Sequence, residues 1–201
     1  MRLGLIGAAI LTVAGGAVAA SPDAGTVLTL KGDCFVEAGG QRNPLKPGDI
    51  VHVGDTLDVA DGAKLKLQLA DGSVISAAPG TKVTVASLTV ADGHRDADLS
   101  LAAGLLRAVV APAAQPSHFE VETATGVAAV RSTDWFVESR TGMMRVGVLT
   151  GVVNLQSRST GHGVDIPKGW GARVEAGKDP VPPRPWEHAE FQAVIDQTNL
   201  N

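Results

Sequence analysis

Tyrosine is absent from this 201-residue chain, and cysteine occurs once, at Cys34. A single thiol excludes an intramolecular disulfide, so stability must come from packing, and Cys34 reads as a small buried hydrophobe. The aromatic rings are three Trp and four Phe. That scarcity argues against a sugar groove built on stacked rings and implies a core of many thin Val, Leu and Ala layers. Basic residues are the minority, 17 against 21 acidic for a net charge of −4, which disfavours a nucleic-acid partner. Also missing are a phosphate loop, a nucleophile elbow, a zinc-protease helix and paired catalytic acids, so a protein without catalytic residues or a cofactor is expected.

What the chain does have begins at its start. Met1-Arg2 precedes an uncharged stretch, Leu3–Ala20, that ends in the small residues Ala17-Val18-Ala19-Ala20. This pattern predicts a secretory signal peptide over 1–20 and a periplasmic or secreted bacterial protein with no membrane span after cleavage. A retained anchor is the competing reading, since the stretch is just long enough to span. Gly4, Gly7, Gly15 and Gly16 and the A-x-A-like end speak against it. Cleavage makes the chain one charge more negative.

From Gly25 onward, short Val- and Leu-rich runs are broken by Asp-Gly, Gly-Asp and Gly-Gly pairs, the spacing of an all-β domain over 25–176. Ala63–Leu69 alternates cleanly, with Leu65, Leu67 and Leu69 on one face, and Asp71-Gly72 predicts a hairpin turn after it. The periodicity fits a twisted two-sheet sandwich or a short β-solenoid-like stack of hairpins, and leaves that choice open. Val181-Pro182-Pro183-Arg184-Pro185 reads as part of a Pro-rich linker over 177–185 that cannot continue a sheet. A short C-terminal α-helix and tail over 186–201 follow, with helix from about Trp186 to Gln197. Docking of its apolar side on the sheets is the simpler expectation, and Trp186, Phe191 and Ile195 are a candidate partner surface.

The central stretch is Val121–Val137. In an extended chain Val127 and Ala129 point one way with Arg131, and Ala128 and Val130 the other, so this run suits a strand covered on both sides. Trp135-Phe136-Val137 predicts a core centre. Between the runs, Arg131, Ser132, Thr133 and Asp134 form a polar corner, with Asp134 or loop carbonyls as acceptors for Arg131. Arg131 is either a bracket across this corner or a recognition residue for an anion, and the bracket is the simpler reading.

Two polar sets are placed to hold a metal, although none is expected. His118, Glu120 and Glu122 share one strand face, but three such neighbours spread over roughly 13 Å and need help from elsewhere. Asp49, His52 and Asp55 sit around two Gly-Asp pairs that also meet ordinary turn needs. The glycines beside Trp170 are read as letting the backbone pass close to that indole.

The stretch 123–137 resembles the signature of the FecR domain, T-x-x-A-x-V-A-V-R-G-T-x-F-x-V. Thr123, Val130, Arg131, Thr133 and Val137 fall on it, Ser132 stands where Gly is usual, and Trp135 where Phe is usual. Leu45–Leu57 is similar to the family's L-x-x-G-D-x-I-x-x-G-D-x-L element, and Gly104–Val110 to its L-x-x-G-x-L/V-x-V run. Ser132 implies that this corner needs no Gly-only backbone. The resemblance spans roughly Gly25 to Glu175 and implies an all-β envelope domain for sensing or protein interaction, with an envelope protein as partner. Regulators of this type pass a signal from an outer-membrane receptor to a cytoplasmic sigma factor through a cytoplasmic segment and a membrane helix. Those segments are not read in this sequence, so an interaction module is the expectation, with a small-ligand or cell-wall glycan binder as the alternative.

Overall fold

The computed structural model describes residues 21–200, so the leader lies outside the described residues. The chain runs in order through β1 (Asp23–Lys31), β2 (Cys34–Ala38), β3 (Gln41–Pro44), β4 (Ile50–His52), β5 (Thr56–Val59) and β6 (Lys64–Leu69). It continues as β7 (Val74–Ala77), β8 (Lys82–Ala91), β9 (His94–Val109), β10 (His118–Glu122), β11 (Gly126–Val130) and β12 (Asp134–Arg140). The last elements are β13 (Met143–Thr150), β14 (Val152–Ser157), β15 (Gly163–Pro167), β16 (Trp170–Glu175), β17 (Arg184–Pro185) and α1 (His188–Thr198).

These strands form two sheets over one core. The first is ordered β4-β1-β6-β7-β9-β12-β13-β16-β17. The second is ordered β3-β2-β5-β8-β9-β10-β11-β14-β15. Leu65, Leu67, Trp135 and Val146 from the first meet Leu57, Leu99, Phe119 and Leu155 from the second in a single buried cluster. The architecture is therefore a two-sheet sandwich, which settles the choice the periodicity left open. Each fully buried leucine contributes on the order of 1.5–3 kcal/mol.

Strand β9 is the seam. Residues up to Ala103 pair with β8 and β10, and residues from Gly104 pair with β7 and β12. The strand changes sheets at Gly104, where φ is +97° and a Cβ would overlap Thr81. There the Thr81 hydroxyl accepts from the Leu105 N–H and donates to the Leu105 carbonyl, both at 3.1 Å, satisfying groups that the break in the ladder frees. Pairing between β9 and β10 is parallel, unlike every other strand pair among the described residues, because the intervening loop returns the chain to the start of β9.

The strand covered on both sides is β12, not β11. Trp135 and Val137 face the space between the sheets, whereas Phe136 faces outward into a second cluster with Ala78, Leu105 and Val194 of α1. In β11 Gly126, Ala128 and Val130 are buried, and Val127 and Ala129 are half-buried. Among the described residues no element packs over that outer side of β11, so the small apolar pattern did not specify its cover.

Two expectations at the C-terminus are corrected. Arg184-Pro185 does continue the sheet, pairing with Trp170-Gly171 at its edge, where a proline's missing donor costs nothing. The helix starts at His188 rather than Trp186, because the Glu190 carboxylate accepts from the Glu187 N–H at 3.0 Å and sets the first turn there. At the other end Lys64 of β6 donates to the carbonyls of Asp196 and Asn199, placing a cation at the helix C-terminus.

Candidate functional site

The polar corner after β11 opens onto a groove of about 570 Å³ on the outer side of the second sheet. His118, Ala129, Arg131, Ser132, Thr133, Val152, Asn154 and Asp165 are among its lining residues, drawn from β10, β11, β14, β15 and the corner itself. Asn154 Nδ2 donates to Asp165 Oδ1 at 2.7 Å and braces the far wall. Val152 is 53% exposed beside it.

Asp134 does not bracket Arg131. Both its oxygens are taken by Arg107 of β9, at 2.9 Å from Nε and 2.8 Å from Nη2, a bidentate pair across adjacent strands. That bond raises the Arg107 pKa further, so the guanidinium stays charged. Arg131 is therefore an exposed cation on the groove. Among the described residues only its backbone is held, its carbonyl accepting from Arg95 Nη2 at 2.7 Å. Thr133 is buried, with its methyl against Gly151, and Trp135 is fully buried beneath the corner. Ser132 keeps an ordinary backbone, since Asp92 is the only non-Gly residue with positive φ among the described residues.

The bracket that sequence reasoning missed is Arg95. It is 2% exposed, donates through Nη1 to Asp71 Oδ2 at 3.0 Å and to the Ala111 carbonyl at 2.8 Å, and lies over the Phe119 ring. Asp71 in turn accepts from the backbone N–H and the hydroxyl of Ser73. This buried pair ties the β6–β7 turn, the loop after β9 and the Arg131 corner together. No local signal marks it, because the partners are 24 and 36 residues from Arg95 along the chain.

The row on β10 divides. Glu122 pairs with Arg158 at 3.2 Å, while His118 Nε2 lies 3.2 Å from Glu120 Oε1 and 3.5 Å from Asp98 Oδ1 on the neighbouring β9. Asp49 and Asp55 act as turn residues, accepting from the N–H groups of Lys46 at 2.9 Å and His52 at 2.8 Å.

Trp186, Phe191 and Ile195 are partly buried against the protein's own first sheet, around Phe136 and Val194. The Trp186 ring lies on Gly147 and Gly171, which are partners across β13 and β16, with Arg145 stacked on it at 5.3 Å. The close-approach glycine beside Trp170 thus serves Trp186, and Trp170 is 37% exposed. Arg184 holds α1 from outside, donating to Glu190 at 3.0 and 2.6 Å, and draws the Glu190 pKa from 4.5 down to about 2. Burial, aided by Asp33 and Asp58, pushes the Cys34 thiol up to about 11.

The candidate site is thus an open, polar, Arg-bearing groove on an all-β two-sheet sandwich, with a helix held against the other sheet. The chain carries a FecR domain: the family model described as FecR protein matches residues 55–154. Two crystal structures of a candidate anti-sigma factor from Parabacteroides distasonis are similar in fold, each with a TM-score of 0.57, 17% identity and 70% of this chain covered. This chain spans 64% and 63% of the length of those two chains. No curated protein matches it. Among the described residues no helix is long and apolar enough to cross a membrane.

Proposed function

We propose that this protein is a non-catalytic module of the bacterial cell envelope that works in the periplasm by binding an envelope protein as part of signalling. The FecR domain over 55–154 carries this reading, because that family is regulatory rather than catalytic. The structural neighbours described as candidate anti-sigma factors agree with a protein partner. The groove at Arg131 is the contact surface that fits. It sets an exposed guanidinium beside the exposed Val152, a mixture of charge and apolar area suited to protein contact. The helix residues Trp186, Phe191 and Ile195 serve instead to hold α1 on its own sheet.

Capture of crosslinked partners from envelope extracts of the native host tests this, with wild-type protein beside Arg131→Glu/Val152→Asp. The expected result is one envelope protein retained by the wild type and lost by the double variant while circular dichroism stays unchanged. A partner retained equally by both would refute the assigned surface, and enrichment of no protein would refute the module. The polar groove also favours a second reading, binding of a small ligand or cell-wall glycan fragment. Thermal shift of the purified protein against muropeptides and anionic sugars tests it, with a shift abolished by Arg131→Ala as the supporting outcome.

A further inference from the structure

We propose that Asp96, Asp98 and His118, assisted by Glu120, form a binding site for a divalent ion of the zinc class at the rim of the Arg131 groove. The parallel register of β9 and β10 builds it, setting His118 opposite Asp96 and Glu120 opposite Asp98. Residues two apart on a strand share a face, so all four side chains leave the sheet on the same side. No reading of β10 alone could assemble this set, because half of it comes from the neighbouring strand.

The spacing of the donor atoms suits a metal. One ligand atom from each of Asp96, Asp98 and His118 lies within 4.8 Å of the other two. His118 Nε2 is 3.5 Å from Asp98 Oδ1 and 3.2 Å from Glu120 Oε1. Ligands held about 2.0–2.1 Å from a tetrahedral ion stand about 3.3–3.4 Å from one another, so those contacts already have the right edge length. A single N–H at Nε2 can point at only one of its two oxygen neighbours, whereas a cation between them serves both.

Charge points the same way. Three carboxylates crowd one imidazole, and among the described residues no Lys or Arg forms an ion pair with Asp96, Asp98 or Glu120. Glu122, next along the row, has Arg158. Like charges side by side on a sheet are unfavourable until a cation joins them. Asp98 is also aimed: Ser87, its partner on β8, donates to Oδ2 at 2.6 Å and leaves Oδ1 directed to His118. Outer contacts of this kind orient metal ligands. An imidazole among carboxylates selects a zinc-like ion over calcium, which takes oxygen ligands alone. This inference is independent of the proposed protein partner.

The test is isothermal titration of the purified, untagged full-length protein with zinc chloride, repeated with cobalt(II) to read the coordination geometry from its visible absorption. Wild type is expected to bind one ion per chain, and His118→Ala/Asp98→Asn to lose at least about tenfold in affinity. Glu122→Gln is expected to bind as wild type does. Thermal midpoints taken without zinc separate loss of the site from loss of the fold, which these exposed or half-exposed positions should not disturb. Absence of saturable binding, or equal affinity in the double variant, would overturn the proposal.

Discussion

Gly171 lies directly beneath the indole of Trp186, so close that a Cβ there would overlap the ring nitrogen. Its partner Gly147 sits under the six-membered half of the same ring. Two glycines on adjacent strands thus make a floor that only side-chain-free backbone can provide, and the residues leading into α1 are seated on it.

Gly171→Ala is accordingly expected to lift the indole and loosen α1, at a cost in the upper part of the about 1–3 kcal/mol range for overpacking. Trp186→Ala should cost about 2–3 kcal/mol, below the value for a fully buried Trp because this ring is only partly covered. Chemical denaturation measures both. A red shift of tryptophan emission in Gly171→Ala, with the β-sheet signal kept, identifies Trp186 as the group that moves.

The Arg95–Asp71 pair should be the most sensitive polar contact in the sandwich. Both side chains are 3% exposed, so removing one partner strands the other charge away from water. Asp71→Asn or Arg95→Ala is expected to cost about 3–5 kcal/mol. Asp134→Asn, whose pair with Arg107 is about one-fifth exposed, should cost distinctly less. Urea midpoints of the three variants check this order.

Acid should release the helix clasp before it opens the sandwich. The Glu190 pKa is depressed from 4.5 to about 2 by the Arg184 guanidinium first and the Glu187 N–H next. A depressed carboxylate contributes its full stabilisation above the unfolded value and loses it as pH falls, so the clasp weakens between about 4.5 and 2. Tryptophan emission followed through that window should report the loss, and Arg184→Ala should move it to higher pH.

Cys34 should be inert in the folded protein. Its thiol is 2% exposed and its pKa is pushed up to about 11, so the thiolate fraction at neutral pH is very small. Reaction with a chromogenic disulfide is expected to be slow in buffer and stoichiometric in denaturant. Rapid labelling of the native protein would contradict the buried placement.

Local patterns were legible where one face of a strand is buried and the other wet. Leu65, Leu67 and Leu69 of β6 and Phe119 and Val121 of β10 lie inside as their alternation requires. Trp135-Phe136-Val137 forms a core centre, as ring size foretold. The Gly-Asp turns of Asp49 and Asp55 follow equally local chemistry, a carboxylate capping an amide three residues before it. The pattern misled at β11, where small apolar residues on both faces implied two covers and the described residues supply one, leaving Val127 and Ala129 half-buried. It also misled at Arg184-Pro185, because proline's exclusion from sheets does not extend to an edge.

The amino-acid sequence by itself determined the all-β class, the turns, the inward faces and the FecR domain, since each depends on residues within a few positions of one another. Tertiary structure alone decided that the sheets form a sandwich sharing β9, that Arg95 rather than Asp134 braces the Arg131 corner, that Gly171 serves Trp186, and that Asp96 and Asp98 join His118. Each of these rests on strand register or on contacts between distant segments, and a one-residue change in register would exchange every facing side chain.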